Sequence, residues 1–273
     1  MSLSDDSPRG RVLIIAGSDS GGGAGVQADI KTVTALGGYA ATAITAITVQ
    51  NTLGVTDVHP VPLAIVQAQA RAVLQDIGAD ALKTGMLGDA AMVEAVAQIL
   101  DEAAGIGAVI DPVMMAKGGA ELLPAHAVGA VRSLLIPRAA LLTPNAAEAE
   151  ILTGLKVRNL DGQRRAADAL LRLGAGAVLM KGGHIEGDRV VDLLVTGEGE
   201  TPFEGPRLHT RHTHGTGCTL ASACATGMAQ GMVLQAAAAR AWIYVAEAIR
   251  RAPGLGEGHG PLDHAWPLRE AWR

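Results

Sequence analysis

Short runs of Val, Ile, Leu and Thr alternate along this chain with longer stretches whose apolar residues recur at helical spacing, and this alternation limits the fold more than any other feature. The short runs are Val12 to Ala16, Ala40 to Gln50, Ala81 to Thr84, Ala108 to Asp111, Leu141 to Thr143 and Ala177 to Lys181. The helical patterns are Val26 to Leu36, Pro62 to Asp76, Ala90 to Ala104, Ala146 to Leu152 and Gly162 to Leu173. Strands that are almost continuously apolar are buried on both faces, so the pattern predicts an α/β fold with a mainly parallel central sheet between two layers of helices. Arg189 to Glu204 breaks the rhythm, with turns at Gly197 and Gly199, and predicts an antiparallel hairpin at the sheet edge. No boundary divides the 273 residues, which predicts one domain over 12–273 after an irregular or disordered extension over 1–11. The tail from Arg251 is rich in Gly, Pro and His and is expected to wrap the surface.

His212 to Leu220 joins a polar loop to a glycine turn and then to a run of small residues, Ala221 to Ala229. That order reads as a loop feeding a helix. The first turn of a helix offers unpaired N–H groups and roughly +0.5 of an elementary charge, which attracts an anion. Cys218 falls where that helix begins. The plainer reading is an ordinary glycine-rich helix entry.

With 22 basic and 27 acidic residues the net charge is −5, and basic residues occur singly or in pairs, which argues against a nucleic-acid partner. Asp5, Asp6 and a first apolar run too short for a signal sequence point to a cytoplasmic protein. No Asp, Glu, Lys or Arg lies between Arg211 and Arg240, yet that stretch is mostly alanine and is broken by Thr226, Gly227, Gln230, Gly231 and Gln235, so a buried helix pair is expected, not a membrane span. Cys218 and Cys224, six apart on one helix, would be separated by about 9 Å of rise and cannot pair. Free thiols agree with a reducing compartment.

In an open α/β sheet the ligand lies outside the carboxyl ends of the strands. Polar residues close nearly every predicted strand: Asp19, Gln50 with Asn51, Thr84 with Met86, Asp111, Asn145 and Lys181. One shared cleft is the economical reading. Gly23 to Ala28 matches a dinucleotide fingerprint, but Gln50-Asn51 stands where a nicotinamide enzyme wants an acid. The glycines read better as a close-approach loop, with Asp29 one turn into the helix, as a pocket residue or as a solvated helix residue. P-loop and protein-kinase signatures are absent from the sequence, so phosphate handling falls to the helix near Gly215. Phosphoryl transfer also needs a divalent cation with oxygen ligands, which Asp111, Asn145 and Glu148 could supply. Alternatively, Asp111 forms a turn before Pro112 and Asn145 caps a helix. His209, His212, His214 and Cys218 lack the spacing of a zinc site, and the tryptophans and Phe203 suggest no stacking platform.

The segments Gly17 to Asp29, Gln50-Asn51-Thr52, Lys83-Thr84-Gly85-Met86, Asp111-Pro112-Val113-Met114, Thr143-Pro144-Asn145-x-x-Glu148, Met180 to His184, His214 to Leu220 and Gly256 to Pro261 together resemble the hydroxymethylpyrimidine/phosphomethylpyrimidine kinases of thiamine biosynthesis. The resemblance implies a single-domain ribokinase-like fold, usually a homodimer. It implies two ATP-dependent, Mg²⁺-dependent steps at one site, first on the hydroxymethyl group of 4-amino-5-hydroxymethyl-2-methylpyrimidine and then on its monophosphate. By position, Gly17, Asp29, Gln50 and Met86 would line the pyrimidine pocket. Asp111, Asn145 and Glu148 would hold Mg²⁺ and order the phosphates. Lys181 would neutralise phosphate charge, Thr213 and Asn145 would help bind the nucleotide, and Gly215, Gly217 and Cys218 would form the anion hole. A thiol whose pKa is lowered by the helix N-terminus could also act as base in the first step. Ser20 stands where many members have proline. Pyridoxal kinases share the signature and are the alternative activity; a non-catalytic nucleotide sensor is the more distant one.

Overall fold

A computed structural model describes residues 10–115, 119 and 122–271, so most of the extension expected over 1–11 lies outside the described residues. Arg11, placed in that extension by the sequence, already belongs to the first strand. The chain runs β1 (Arg11–Asp19), α1 (Gly25–Ala35), β2 (Tyr39–Asn51), β3 (Gly54–Pro60), α2 (Leu63–Asp76), β4 (Ala81–Thr84), α3 (Ala90–Glu102) and β5 (Gly107–Ile110). It continues with α4 (Val128–Ala130), β6 (Leu141–Leu142), α5 (Ala146–Thr153), α6 (Leu160–Arg172), β7 (Ala177–Met180), β8 (Arg189–Thr196), β9 (Gly199–Pro206), α7 (Thr216–Ala229), α8 (Leu234–Arg250) and α9 (Trp266–Ala271).

The sheet order is β3-β2-β1-β4-β5-β6-β7-β8-β9. Strands β2, β1, β4, β5, β6 and β7 are parallel, while β3 at one edge and β8–β9 at the other pair antiparallel. Alternate residues of the central strands feed two separate cores. Leu13, Ile15, Leu82, Ile110, Leu142 and Val178 face α2, α3, α5 and α6, and Val12, Ile14, Val109, Leu141, Ala177 and Leu179 face α7 and α8. That double burial explains the unbroken apolar runs in the sequence.

The hairpin predicted for Arg189 to Glu204 is β8–β9, and the helix pair predicted for the charge-poor stretch is α7 and α8. Alanine dominates α7 because the helix lies between sheet and α8. A Cβ at Gly227 would stand 2.6 Å from Ala237 Cβ, so only small residues allow that approach. Strand β3 and the irregular helical stretch around α4 were not expected. In β3 the residues are largely exposed, and their order comes from the ladder to β2, not from an apolar pattern of their own.

The carboxyl ends of β1, β2, β4, β5 and β7 deliver Asp19, Gln50, Met86, Asp111 and Lys181 to one side of the sheet, where the start of α7 meets them. The tail completes that side: His259 N donates to Thr52 O at 2.8 Å and His214 N donates to Gly260 O at 3.1 Å, tying the β2–β3 turn to the loop before α7.

Candidate active site

One open cleft of about 1390 Å³ lies over these strand ends. Its lining includes Gly17, Gln50, Met86, Asp111, Asn145, Glu148, Lys181, Thr213, Gly215, Gly217 and Cys218. Asp29 does not line it, and neither do Asn51 and Thr84, two of the polar residues that close the predicted strands. Asp29 is 0% exposed behind the wall, where Lys83 Nζ donates to Oδ2 at 2.8 Å and Ser222 Oγ to Oδ1 at 2.7 Å. A carboxylate at the sheet-facing side of α1 needs a counter-charge, and Lys83, rising from β4 beneath it, supplies one away from the cleft. Asp29 is therefore corrected from pocket residue to buried ion-pair partner.

The loop from Gly17 to Gly25 is built for close approach. A Cβ at Gly17 would lie 2.5 Å from Met86 Cε, and Gly25, at φ +54°, would put one 2.3 Å from Gly17 O. Asp19 organises this loop by accepting from the N–H groups of Gly21, Gly23 and Ala24 at 2.8, 3.1 and 2.8 Å. Burial alone would raise the Asp19 pKa, but His214 and those amides outweigh it and hold the carboxyl below its ordinary value. His214 Nε2 stands 2.8 Å from Asp19 Oδ2 and 3.2 Å from the Gln50 amide. The sequence placed Asp19 at a strand end and His214 in a motif without giving either a function. An acid followed by five residues containing three glycines was the available signal.

At the other part of the cleft, Lys181 Nζ donates to Asp111 Oδ1 at 2.8 Å and lies 3.7 Å from Glu148 Oε2. Burial opposes the charge on Lys181, yet the two acids raise its pKa, so it stays an ammonium. Burial, with Asp111 nearby, pushes Glu148 up to about 7 against the pull of Lys181. Asn145 and Glu148 form a reciprocal cap on α5: Glu148 N donates to Asn145 Oδ1 at 3.0 Å and Asn145 N to Glu148 Oε2 at 2.7 Å. The Asn145 oxygen assigned to a cation thus first closes a helix, because the orphan N–H at its third position requires an acceptor.

Gly215 opens α7 at φ +83°, where a Cβ would strike Gly23 O at 1.8 Å, and no side chain among the described residues caps the helix. A Cβ on Gly217 would stand 3.2 Å from Lys181 Nζ and 3.6 Å from Asp111 Oδ2. Glycine at 217 thus keeps the space between the start of α7 and the lysine open. Cys218 is half-buried here, and the direction expected of its thiol is reversed. Burial pushes it up to about 11; Lys83 pulls the other way, and Asp29 and Asp111 add to the rise. At neutral pH the resting side chain is S–H, unsuited to serve as a base.

Two further features escaped the sequence. Asp192, a lone acid on the apolar strand β8, lines the cleft, accepts from Gly182 N at 2.7 Å and is pushed to about 6 by burial. Trp242 and Trp266 also line the cleft, with Leu208, Ile243, Val245 and Ile249, making an apolar shelf where no platform was expected. They come together only because α8 and the tail pack side by side, which linear spacing does not reveal.

The phosphomethylpyrimidine kinase family model matches residues 19–263. The chain is 52% identical over 257 residues to the thiamine biosynthesis bifunctional protein ThiED of Geobacter sulfurreducens, covering 94% of this chain but only 52% of that protein. It is 47% identical over 255 residues to the hydroxymethylpyrimidine/phosphomethylpyrimidine kinase of Bacillus subtilis, covering 93% of this chain and 94% of the relative. Among solved structures, an ADP complex of Bacillus subtilis pyridoxal kinase superposes with TM-score 0.88 at 36% identity, over 96% of this chain and 99% of that one. A phosphomethylpyrimidine kinase from Clostridium difficile 630 superposes with TM-score 0.79 at 40% identity, over 88% and 99%. With identity of this degree spread over nearly the whole chain and a family model matching residues 19–263, the protein belongs to the phosphomethylpyrimidine kinase family.

Proposed function

We propose that this chain phosphorylates the hydroxymethyl group of 4-amino-5-hydroxymethyl-2-methylpyrimidine with ATP and then phosphorylates the resulting monophosphate, in thiamine biosynthesis. The observation that carries the reading is the joining, within one cleft, of a neutral hydrogen-bonding pocket at Gly17, Gln50 and Met86 to a charged centre at Asp111, Glu148 and Lys181. The ring sits at the first and phosphates at the second. Lys181 neutralises transferring charge, and the amides of Gly215, Gly217 and Cys218 receive the phosphoryl oxygens. The shelf of Trp242, Ile243 and Trp266 suits the flat, apolar base of the nucleotide, with Thr213 and Asn145 nearer the phosphates.

The donor set also fits Mg²⁺, since two carboxylates, Asp111 and Glu148, face one space with a carboxyl oxygen of Asp111 turned toward Gly217. When bound, the cation would be held by Asp111 and Glu148 and would neutralise phosphate charge. Cys218 acts in the anion hole as an S–H donor, not as the base first expected of it. Ile47, Val49 and Leu53 are exposed on the β2–β3 hairpin, which supports a homodimer closed through that face.

Pyridoxal phosphorylation is the second reading, favoured by the fold likeness to a pyridoxal kinase. Gln50 separates the two, because a primary amide pairs with adjacent donor and acceptor atoms that an aminopyrimidine presents and pyridoxal arranges differently. Gln50→Leu keeps the size but leaves ring groups unpaired, at about 1–3 kcal/mol. Kinetics with both substrates should show discrimination against pyridoxal shrinking; an unchanged ratio removes Gln50 from the pocket.

A further inference from the structure

The terminal atoms of the Gln50 amide exchange places by a half-turn about the last side-chain bond, so neighbouring groups must decide which faces where. Asp19 accepts from the backbone amides of Gly21, Gly23 and Ala24, a set of donors that an ionised carboxylate satisfies. Such a carboxylate never donates. The 2.8 Å contact between Asp19 Oδ2 and His214 Nε2 therefore requires a hydrogen on that nitrogen.

With that hydrogen in place, His214 Nε2 has no lone pair for Gln50 Nε2, which stands 3.2 Å away. The second neighbour is mismatched in the same sense. Thr48 Oγ1 gives its single hydrogen to Ser18 O at 2.8 Å, so toward Gln50 Oε1, at 3.2 Å, it offers only lone pairs. Donor faces donor on one side and acceptor faces acceptor on the other. A half-turn of the amide repairs both: Oε1 shares the His214 hydrogen with Asp19, and Nε2 donates to Thr48.

We propose that Asp19 and His214 are positioning residues that lock the Gln50 amide with its oxygen beside His214 and its nitrogen beside Thr48, so that the cleft offers acceptor and donor in one fixed order. This rests on the reading that Gln50 recognises the ring. Each terminal atom keeps one free hydrogen-bonding position. The exocyclic amino group of a 4-aminopyrimidine then donates to Oε1 while its neighbouring ring nitrogen accepts from Nε2. A 4-oxopyrimidine presents a carbonyl and a ring N–H, the reverse order. An amide free to turn would serve either ring; a locked one rejects the second.

The test measures kcat/KM for the 4-amino pyrimidine alcohol and for its 4-oxo counterpart, using the full chain and its Gln50→Leu and His214→Phe variants. The wild type favours the amino ring. His214→Phe lowers the amino-to-oxo ratio by about tenfold or more, with the KM of the oxo compound falling, which a general loss of loop order would not produce. An unchanged ratio in Gln50→Leu defeats the reading of Gln50 itself. A ratio that collapses in Gln50→Leu but survives in His214→Phe overturns the locking alone. Nitrogen-15 NMR of the wild-type imidazole gives a check that needs no variant: a hydrogen on Nε2 of His214 is required, and its absence overturns the proposal.

Discussion

Lys83 and Lys181 make the same bond in two different settings. Each stands at the carboxyl end of a parallel strand with its ammonium 2.8 Å from an aspartate, Asp29 for the first and Asp111 for the second. The Lys83 pair is sealed: both side chains are 0% exposed, and Ser222 takes the remaining Asp29 oxygen. Lys181 keeps 13% of its side chain exposed to the cleft and is shared between two acids. A saturated pair has nothing left to offer a ligand, whereas an ammonium held between carboxylates at a cleft wall can turn to an incoming phosphate. Exposure and unfilled bonding capacity, not charge, divide the sealed lysine from the one a ligand can reach.

The widest separation between the two should come from replacing each by methionine. Lys181→Met should reduce turnover by about 10²- to 10³-fold, the usual worth of a preorganised charge at a transferring group. Its stability should fall less than that of the Lys83 variant, because Lys181 borders the cleft and Glu148, with a pKa near 7, can take up a proton when the ammonium is gone. Lys83→Met should instead destabilise the fold by about 3–5 kcal/mol, since Asp29 is left as an uncompensated buried charge. Denaturant melts and steady-state assays on both variants check this, and equal patterns in the two would erase the distinction.

Cys218 sharpens the comparison, because it lies near both lysines. With its thiol pushed up to about 11, Cys218→Ala should slow phosphorylation of the alcohol and of the monophosphate by a similar factor, about tenfold for one lost weak hydrogen bond. Single-turnover rates for the two substrates test it. A loss confined to the alcohol would restore the role of base, since a monophosphate with a second pKa of about 6 is already ionised and needs none.

The smallest effect concerns Glu148, whose pKa near 7 means that it loses its proton across the neutral range. A cation competes with that proton, so the Mg²⁺ concentration for half-maximal turnover should drop roughly tenfold from pH 6 to pH 8. Glu148→Gln should flatten the dependence. A wild-type titration independent of pH would remove Glu148 from the metal site.

The same division explains what the sequence revealed. The central strands were legible because burial on both faces writes an unbroken apolar run, and Lys181, Asp111 and Gln50 were legible because they follow such runs directly. Asp29 misled because a carboxylate one turn into a helix looks alike whether it meets solvent, substrate or a buried lysine from β4, 54 residues away. Strand β3 was hidden because an exposed edge carries no apolar period. The Cys218 shift ran against the helix-terminus argument because burial, a property of the assembled fold, outweighs the local field. His214 and Asp19 lie 195 positions apart, and only folding brings them together.

The reaction itself offers the most direct test of the assigned activity. ADP release by the purified full chain, measured with ATP and Mg²⁺ against the pyrimidine alcohol, its monophosphate, pyridoxal and ribose, should be rapid with the first two, slower with pyridoxal and at background with ribose. Faster turnover of pyridoxal than of the pyrimidine alcohol, or ADP release that no pyrimidine stimulates, would contradict it.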